Sequence, residues 1–134
     1  MRIGHVAITV CDLERSEKFY KDAFGFVCVE RIEDKEGRFV ISIIKKGKIT
    51  LELFSHPQSK PLPHYRRKLD SDLKVCGVKH FALEVKDIEK EYHELRRKKI
   101  RFLTGIENLG KKLRYFFIKD PDGIFIEVVE NKIA

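Results

Sequence analysis

Apolar and polar positions alternate through residues 3–10, placing Val6, Ile8 and Val10 on one face of a strand and His5, Ala7 and Thr9 on the other. The period then changes. Asp12 can cap a helix from Leu13 to Phe24, where Phe19, Tyr20, Ala23 and Phe24 recur at helical spacing, and Gly25 can end it. Stretches 26–30, 39–45 and 48–54 read as strands between charged turns, with Gly37 and Gly47 in two of the turns. Residues 55–76 lose this rhythm. Pro57, Pro61 and Pro63 predict an extended connection there, with a short helical turn near Tyr65–Leu69. Alternation resumes over 78–85, followed by Asp87 as a cap and a helix carrying Ile88, Tyr92 and Leu95. Strands are expected over 101–104, 112–119 and 124–129, the last two joined by the turn Asp120-Pro121-Asp122-Gly123.

The two halves repeat. His5-Val6-Ala7-Ile8-Thr9-Val10-Cys11-Asp12-Leu13-Glu14 matches His80-Phe81-Ala82-Leu83-Glu84-Val85-Lys86-Asp87-Ile88-Glu89 at an offset of 75 residues, and Glu52 stands at the same offset from Glu127. A repeated unit predicts an α+β fold of two tandem βαβββ modules, residues 1–54 and 77–134, joined by a linker at 55–76. Parity then orders the side chains. His5, Glu52, His80 and Glu127 all lie opposite the aliphatic positions of their strands, so they face a cleft if the aliphatic faces meet the helices.

Composition narrows the classes. With 134 residues and 43% apolar content the chain can bury a core. No apolar run approaches the roughly 20 residues of a membrane span, and no signal pattern opens the chain, so the expected location is the cytoplasm. The net charge of +7 is spread over short clusters mixed with acids and without interleaved aromatics, which argues against a nucleic-acid partner. Cys11, Cys28 and Cys76 form no CxxC pair and read as reduced thiols.

Two imidazoles and two carboxylates facing one cavity would each cost several kcal/mol of desolvation unless paired or metal-bound. As an N2O2 set, His5, Glu52, His80 and Glu127 suit a divalent ion such as Ni, Co, Mn, Fe or Zn. A single strand histidine or glutamate carries little weight. The matched pairs carry the inference.

These motifs resemble the vicinal oxygen chelate superfamily of glyoxalase I, bleomycin-resistance proteins, extradiol dioxygenases, fosfomycin-resistance enzymes and methylmalonyl-CoA epimerase. The likeness spans Gly4-His5-Val6-Ala7-Ile8, Asp12-Leu13-Glu14-Arg15-Ser16, Phe24-Gly25-Phe26, Leu51-Glu52-Leu53-Phe54, Gly77-Val78-Lys79-His80-Phe81-Ala82 and Asp120-Pro121-Asp122-Gly123. It implies paired modules forming a curved-sheet cleft, a metal held by His5, Glu52, His80 and Glu127, and a homodimer. A complete His-Glu-His-Glu set looks most like glyoxalase I, lactoylglutathione lyase, and the compact length resembles its nickel- or cobalt-preferring branch. The epimerase commonly has Gln where this chain has Glu52.

The resemblance therefore implies a metal-dependent lyase or isomerase of the glyoxalase I type, with Glu127 and then Glu52 shuttling a proton through an enediolate of a small oxo or hemithioacetal substrate. Epimerisation next to a carbonyl and drug binding without chemistry are the alternatives. Glutathione-using members tend to carry Arg and Asn where this chain has Thr9 and His56, so these two are candidate substrate contacts and the thiol stays open. Lys111, Lys112 and Arg114 are candidates to hold an anionic substrate.

Overall fold

The change of period at Asp12 has a physical origin in the computed structural model, which describes residues 1–132. After strand β1 (Val6–Thr9), the Asp12 carboxylate accepts the Arg15 N–H at 3.0 Å, satisfying an orphan donor at the start of α1 (Leu13–Phe24). Gly25 closes the helix in the left-handed region, φ +83°, donating its N–H to the Lys21 carbonyl at 2.8 Å. A side chain there would meet Lys46 only at ordinary contact distance, so the constraint lies in the backbone. Gly25→Ala is expected to lower stability by about 1–2 kcal/mol, measured as the shift of a urea midpoint. An unchanged midpoint would show that the turn relaxes.

Strands β2 (Val27–Glu33), β3 (Val40–Lys46) and β4 (Ile49–Ser55) complete the first sheet in the order β1-β4-β3-β2, with β1 parallel to β4 and the other pairs antiparallel. Helix α1 lies across β2, β3 and β4. Its buried Tyr20, Ala23 and Phe24 meet a sheet face whose Ile44, Leu51 and Leu53 are also buried, and Tyr20 sets its ring edge-on to Phe26 at 6.2 Å. This compact unit comprises Met1–Pro61.

The second compact unit begins at Leu62, so most of the proline-bearing connection groups with it. A 3-10 turn (His64–Arg66) and the short helix α2 (Leu69–Leu73) precede β5 (Phe81–Glu84), α3 (Ile88–Arg97), β6 (Arg101–Phe102), β7 (Glu107–Leu109), β8 (Leu113–Lys119) and β9 (Phe125–Asn131). The sheet order is β5-β9-β8-β6, with β7 also on β8, and β5 runs parallel to β9. Asp87 caps α3 as Asp12 caps α1, accepting the Lys90 N–H at 3.1 Å. Here the cap is doubled, because buried Glu130 accepts the Ile88 N–H at 3.0 Å. Ile88 and Leu95 bury against Phe116, Ile118, Ile126 and Val128, while Tyr92, Phe102 and Phe116 form a ring cluster. The Asp120 carboxylate accepts the N–H groups of Asp122 and Ile124, both at 2.9 Å, which sets the expected turn into β9.

Several bounds depart from the sequence-based expectation. The strand expected over residues 3–10 shortens to Val6–Thr9 and that of 78–85 to Phe81–Glu84, that of 26–30 extends to Val27–Glu33, and α2 follows the helical turn expected near Tyr65–Leu69. The strand expected over 101–104 is regular only to Phe102; Leu103 still donates its N–H to the Phe117 carbonyl at 2.9 Å, and the Thr104 hydroxyl accepts the Phe117 N–H at 3.0 Å. Strand β7 was not expected, since its three residues are all exposed and carry no alternation. No helix among the described residues is long and apolar enough to cross a membrane. None of the three cysteines is disulfide-bonded.

Candidate metal centre

The strand register brings one histidine to one glutamate in each unit. In the first, Ala7 lies opposite Glu52 on adjacent parallel strands, and His5, two residues earlier on the same face, directs Nε2 to Glu52 Oε2 at 3.2 Å. In the second, Ala82 lies opposite Glu127, and His80 Nε2 stands 2.8 Å from Glu127 Oε2. Each histidine immediately precedes its strand rather than lying within it. The parity reading holds in the burial pattern: Leu51 and Leu53, Ile126 and Val128 are buried beneath the helices, while the glutamates between them keep about a fifth of their side-chain surface open (20% and 19%).

Two donors bound side by side to one ion, with bonds near 2.1 Å, stand about 3 Å apart. The His5–Glu52 separation of 3.2 Å falls at that spacing, and the His80–Glu127 separation of 2.8 Å is that of a direct hydrogen bond, which an ion would open slightly. Imidazole nitrogen with carboxylate oxygen also suits a borderline divalent cation. Each pair therefore fits as half of a ligand set. Among the described residues no group of three or more His, Cys, Asp or Glu side chains is placed to hold a metal ion, and each unit supplies one His–Glu pair of its own.

The second pair has the more elaborate surroundings. Phe117, opposite Glu127 in the β8–β9 register, sets its ring at 85° to the His80 ring with centroids 4.9 Å apart. Ile43 holds the corresponding place opposite Glu52. Two residues from Phe117 on the same face, Tyr115 donates its hydroxyl to Glu107 at 3.0 Å. That bond, then burial and the nearby charges of Glu107 and Glu127, push the phenol above its ordinary value and keep it protonated. Beside His80 lies a cavity of about 160 Å³, lined by Leu69, Leu73, Phe117 and Phe125 together with the charged residues Asp70, Asp72 and Lys79. Phe125 shares the Glu127 face yet is only 4% exposed.

A buried carboxylate anchors the segment that leads into His80. Asp72, 2% exposed, accepts Arg66 Nε at 2.8 Å on one oxygen, and Lys79 Nζ lies 3.4 Å from the other. Lys79 also donates to the carbonyls of Asp72, at 2.5 Å, and Val75, while Arg66 donates to the Val78 carbonyl at 3.0 Å. Burial raises the Asp72 pKa, and the hydrogen bonds from Arg66 and Lys79 outweigh it, holding the carboxyl below its ordinary value. These contacts hold the Val78 carbonyl, two residues before His80, and the Lys79 side chain, one residue before it.

The candidate substrate contacts are dispersed. Thr9 ends β1 opposite Phe54, and His56 turns its Nδ1 to the Gln58 N–H at 2.9 Å, capping a local turn. Lys111 and Lys112 are exposed between β7 and β8. Arg114 has the parity of buried Phe116 and Ile118, on the helix side of its sheet, where it pairs with Glu89 of α3 at 2.8 Å. That parity was readable from the strand alone. Phe117 and Asp72 were not anticipated: Phe117 lacks an aromatic counterpart in the first unit, and the partners of Asp72 depend on how the connection folds.

Comparison with known proteins adds a second line. The model of the Glyoxalase/Bleomycin resistance protein/Dioxygenase superfamily matches residues 2–128. Mouse mitochondrial methylmalonyl-CoA epimerase is 30% identical over 132 residues, covering 95% of this chain and 71% of the mouse protein. Among solved structures, a glyoxalase family protein from Enterococcus faecalis superposes with a TM-score of 0.80 at 25% identity, covering 96% of this chain and 97% of its own. Leishmania major glyoxalase I, described as trypanothione-dependent, shares the fold with a TM-score of 0.73 at 23% identity, over 98% of this chain and 88% of its own.

Proposed function

We propose that this chain, which belongs to the Glyoxalase/Bleomycin resistance protein/Dioxygenase superfamily, is a metal-dependent enzyme that removes and returns the proton on a carbon next to a carbonyl. The observation that carries this reading is the His–Glu pair repeated at matched register in both units. His5, Glu52, His80 and Glu127 would hold a divalent cation, nickel or cobalt first. When bound, that ion supplies Lewis-acid stabilisation of negative charge developing on the carbonyl oxygen.

The remaining work belongs to the side chains. One oxygen of Glu127 engages His80, and a carboxylate offers a second, which takes the α-proton as the enolate forms. Donation of a proton from Glu52 to the opposite face of the same carbon, while Glu127 keeps the one it removed, gives epimerisation. Returning the removed proton to the neighbouring carbon gives isomerisation of a hemithioacetal. Phe117 holds the His80 imidazole edge to face, so the ring turns little when Glu127 changes protonation. The 160 Å³ cavity beside His80 accepts a methyl or short alkyl branch rather than a whole carrier group.

Two features favour different members of this pair. The 30% identity to an enzyme named methylmalonyl-CoA epimerase supports epimerisation of a branched acyl thioester. The complete His-Glu-His-Glu set supports the hemithioacetal reaction. Protein loaded with Ni2+ or Co2+ in deuterated water separates them. Uptake of one deuteron at the α-carbon of methylmalonyl-CoA, read by mass, is the expected result. Thioester formation from methylglyoxal and a thiol would select the second reaction, and neither signal with any of the five metals would leave a binding protein.

A further inference from the structure

Most arginines whose side-chain partners are defined here hold a carboxylate: Arg31 with Glu17, Arg38 with Asp34, Arg66 with Asp72 and Arg114 with Glu89. One group of cations in the second unit differs. Lys119 Nζ donates to the Arg67 carbonyl at 2.9 Å, Arg67 Nε to the Leu62 carbonyl at 2.9 Å, and Arg101 Nη2 to the carbonyls of Asp120 and Pro121 at 2.8 and 3.4 Å. Every partner is a backbone carbonyl, and among the described residues none of the three forms an ion pair with a carboxylate. Lysine has three donors and arginine five, so each keeps capacity in hand.

The three are gathered by the fold. Arg101 and Lys119 are a register pair on adjacent strands, and the Arg67 backbone is tied to the Lys119 ammonium. Burial, then the charges of Arg101 and Arg67, push the Lys119 ammonium below its ordinary value, and no acid offsets them. Like charges held together, none of them in an ion pair with a carboxylate, favour an anion that joins them. The cluster also adjoins the His80–Glu127 pair. Lys119 lies two residues from Phe117 on the same strand face, about 7 Å along the sheet, and its ammonium sits 6.0 Å from the ring centroid of Phe125, which lines the cavity beside His80.

We infer that Arg67, Arg101 and Lys119 form an oxyanion subsite that receives a carboxylate or phosphate of the substrate whose α-carbon reacts at the His80–Glu127 pair. The assignment of that substrate rests on the function proposed above, whereas the subsite itself is testable without turnover. The three cations provide forked and single donors that match an oxyanion, and an acidic substrate anchored there would extend its reacting carbon toward Glu127.

The test is a titration of the metal-free, 15N-labelled chain with sodium malonate and, separately, with inorganic phosphate, against sodium chloride at equal ionic strength. Saturable shifts of the Arg67 and Arg101 side-chain Nε–H signals and of the Lys119 amide are expected, and the tighter of the two anions identifies carboxylate or phosphate as the preferred group. Lys119→Met should weaken binding about tenfold or more, as for loss of a charge-assisted hydrogen bond. Arg101→Met should do the same, so one misfolded variant would not block the result. Lys119→Arg should retain binding, and Lys35→Met, at an exposed turn of the first unit, should leave it unchanged. Equal affinity in wild type and both methionine variants, shifts centred on Lys111 and Lys112, or shifts equal to those in chloride would overturn the subsite. Anion binding with neither deuterium uptake nor thioester formation would keep the subsite and reject the proposed reaction, and turnover without anion binding would do the opposite.

Discussion

Glu127→Gln is expected to slow α-proton exchange by about 10²–10⁴-fold, the usual contribution of a positioned general acid or base. The substitution keeps the shape of the side chain and its reach to His80, 2.8 Å away. It removes the charge and the basic oxygen. Because Glu127 is also a proposed metal ligand, loss of rate alone would be ambiguous. Metal affinity is therefore measured by calorimetry alongside deuterium uptake, and the rate is compared at saturating metal. If uptake then stays within about tenfold of wild type, Glu127 is a ligand and not the base. Glu84→Gln is the control, since Glu84 is exposed on the same sheet but lies beyond Ala82 from His80. The proposal predicts no change there.

Much of this site was legible because a strand has a period of two and the chain is written twice. The offset of 75 residues relates both capped helices and both His–Glu pairs, and the registers Ala7 to Glu52 and Ala82 to Glu127 are its structural expression. Legibility fails where the repeat slips. Opposite the two glutamates stand Ile43 and Phe117, which are 74 residues apart, so the aromatic neighbour of His80 has no counterpart to reveal it. It fails again in the connection. Three prolines there signal an absence of regular ladder, but not that Leu69 and Leu73 line the cavity floored by Phe125, nor that a carboxylate between them is buried. Such facts belong to tertiary contacts, which local periodicity does not encode. The spread of the basic residues is a third case. Short basic runs such as Arg96-Arg97-Lys98-Lys99 and Lys111-Lys112 stand out in the sequence, whereas Arg67, Arg101 and Lys119 meet only after folding.

Asp72→Ala is expected to cost about 2–3 kcal/mol of stability, less than removing one partner of a fully buried ion pair because Arg66 keeps 35% of its side chain exposed. The magnitude follows from what is left behind. Lys79, with 21% of its side chain exposed, and Arg66 would lose their carboxylate while remaining partly desolvated. The double variant Asp72→Ala with Lys79→Met should recover part of the loss, because it also removes the stranded charge. The pH dependence has a definite sign. The Asp72 carboxyl is held below its ordinary value in the folded chain, so its contribution is fully present above the unfolded value near 3.9 and is lost as pH falls through the folded one. Urea unfolding of wild type should therefore weaken more steeply than that of Asp72→Ala as the pH is lowered through this acid range. Parallel profiles, or a loss under 1 kcal/mol at neutral pH, would show that the network is replaced by solvent. The consequence reaches the site, since Arg66 and Lys79 tie Asp72 to the backbone just ahead of His80. Loosening that segment should weaken metal binding in Asp72→Ala although no ligand has been altered, and Asp72→Asn, which keeps a hydrogen-bond acceptor for Arg66, should weaken it less.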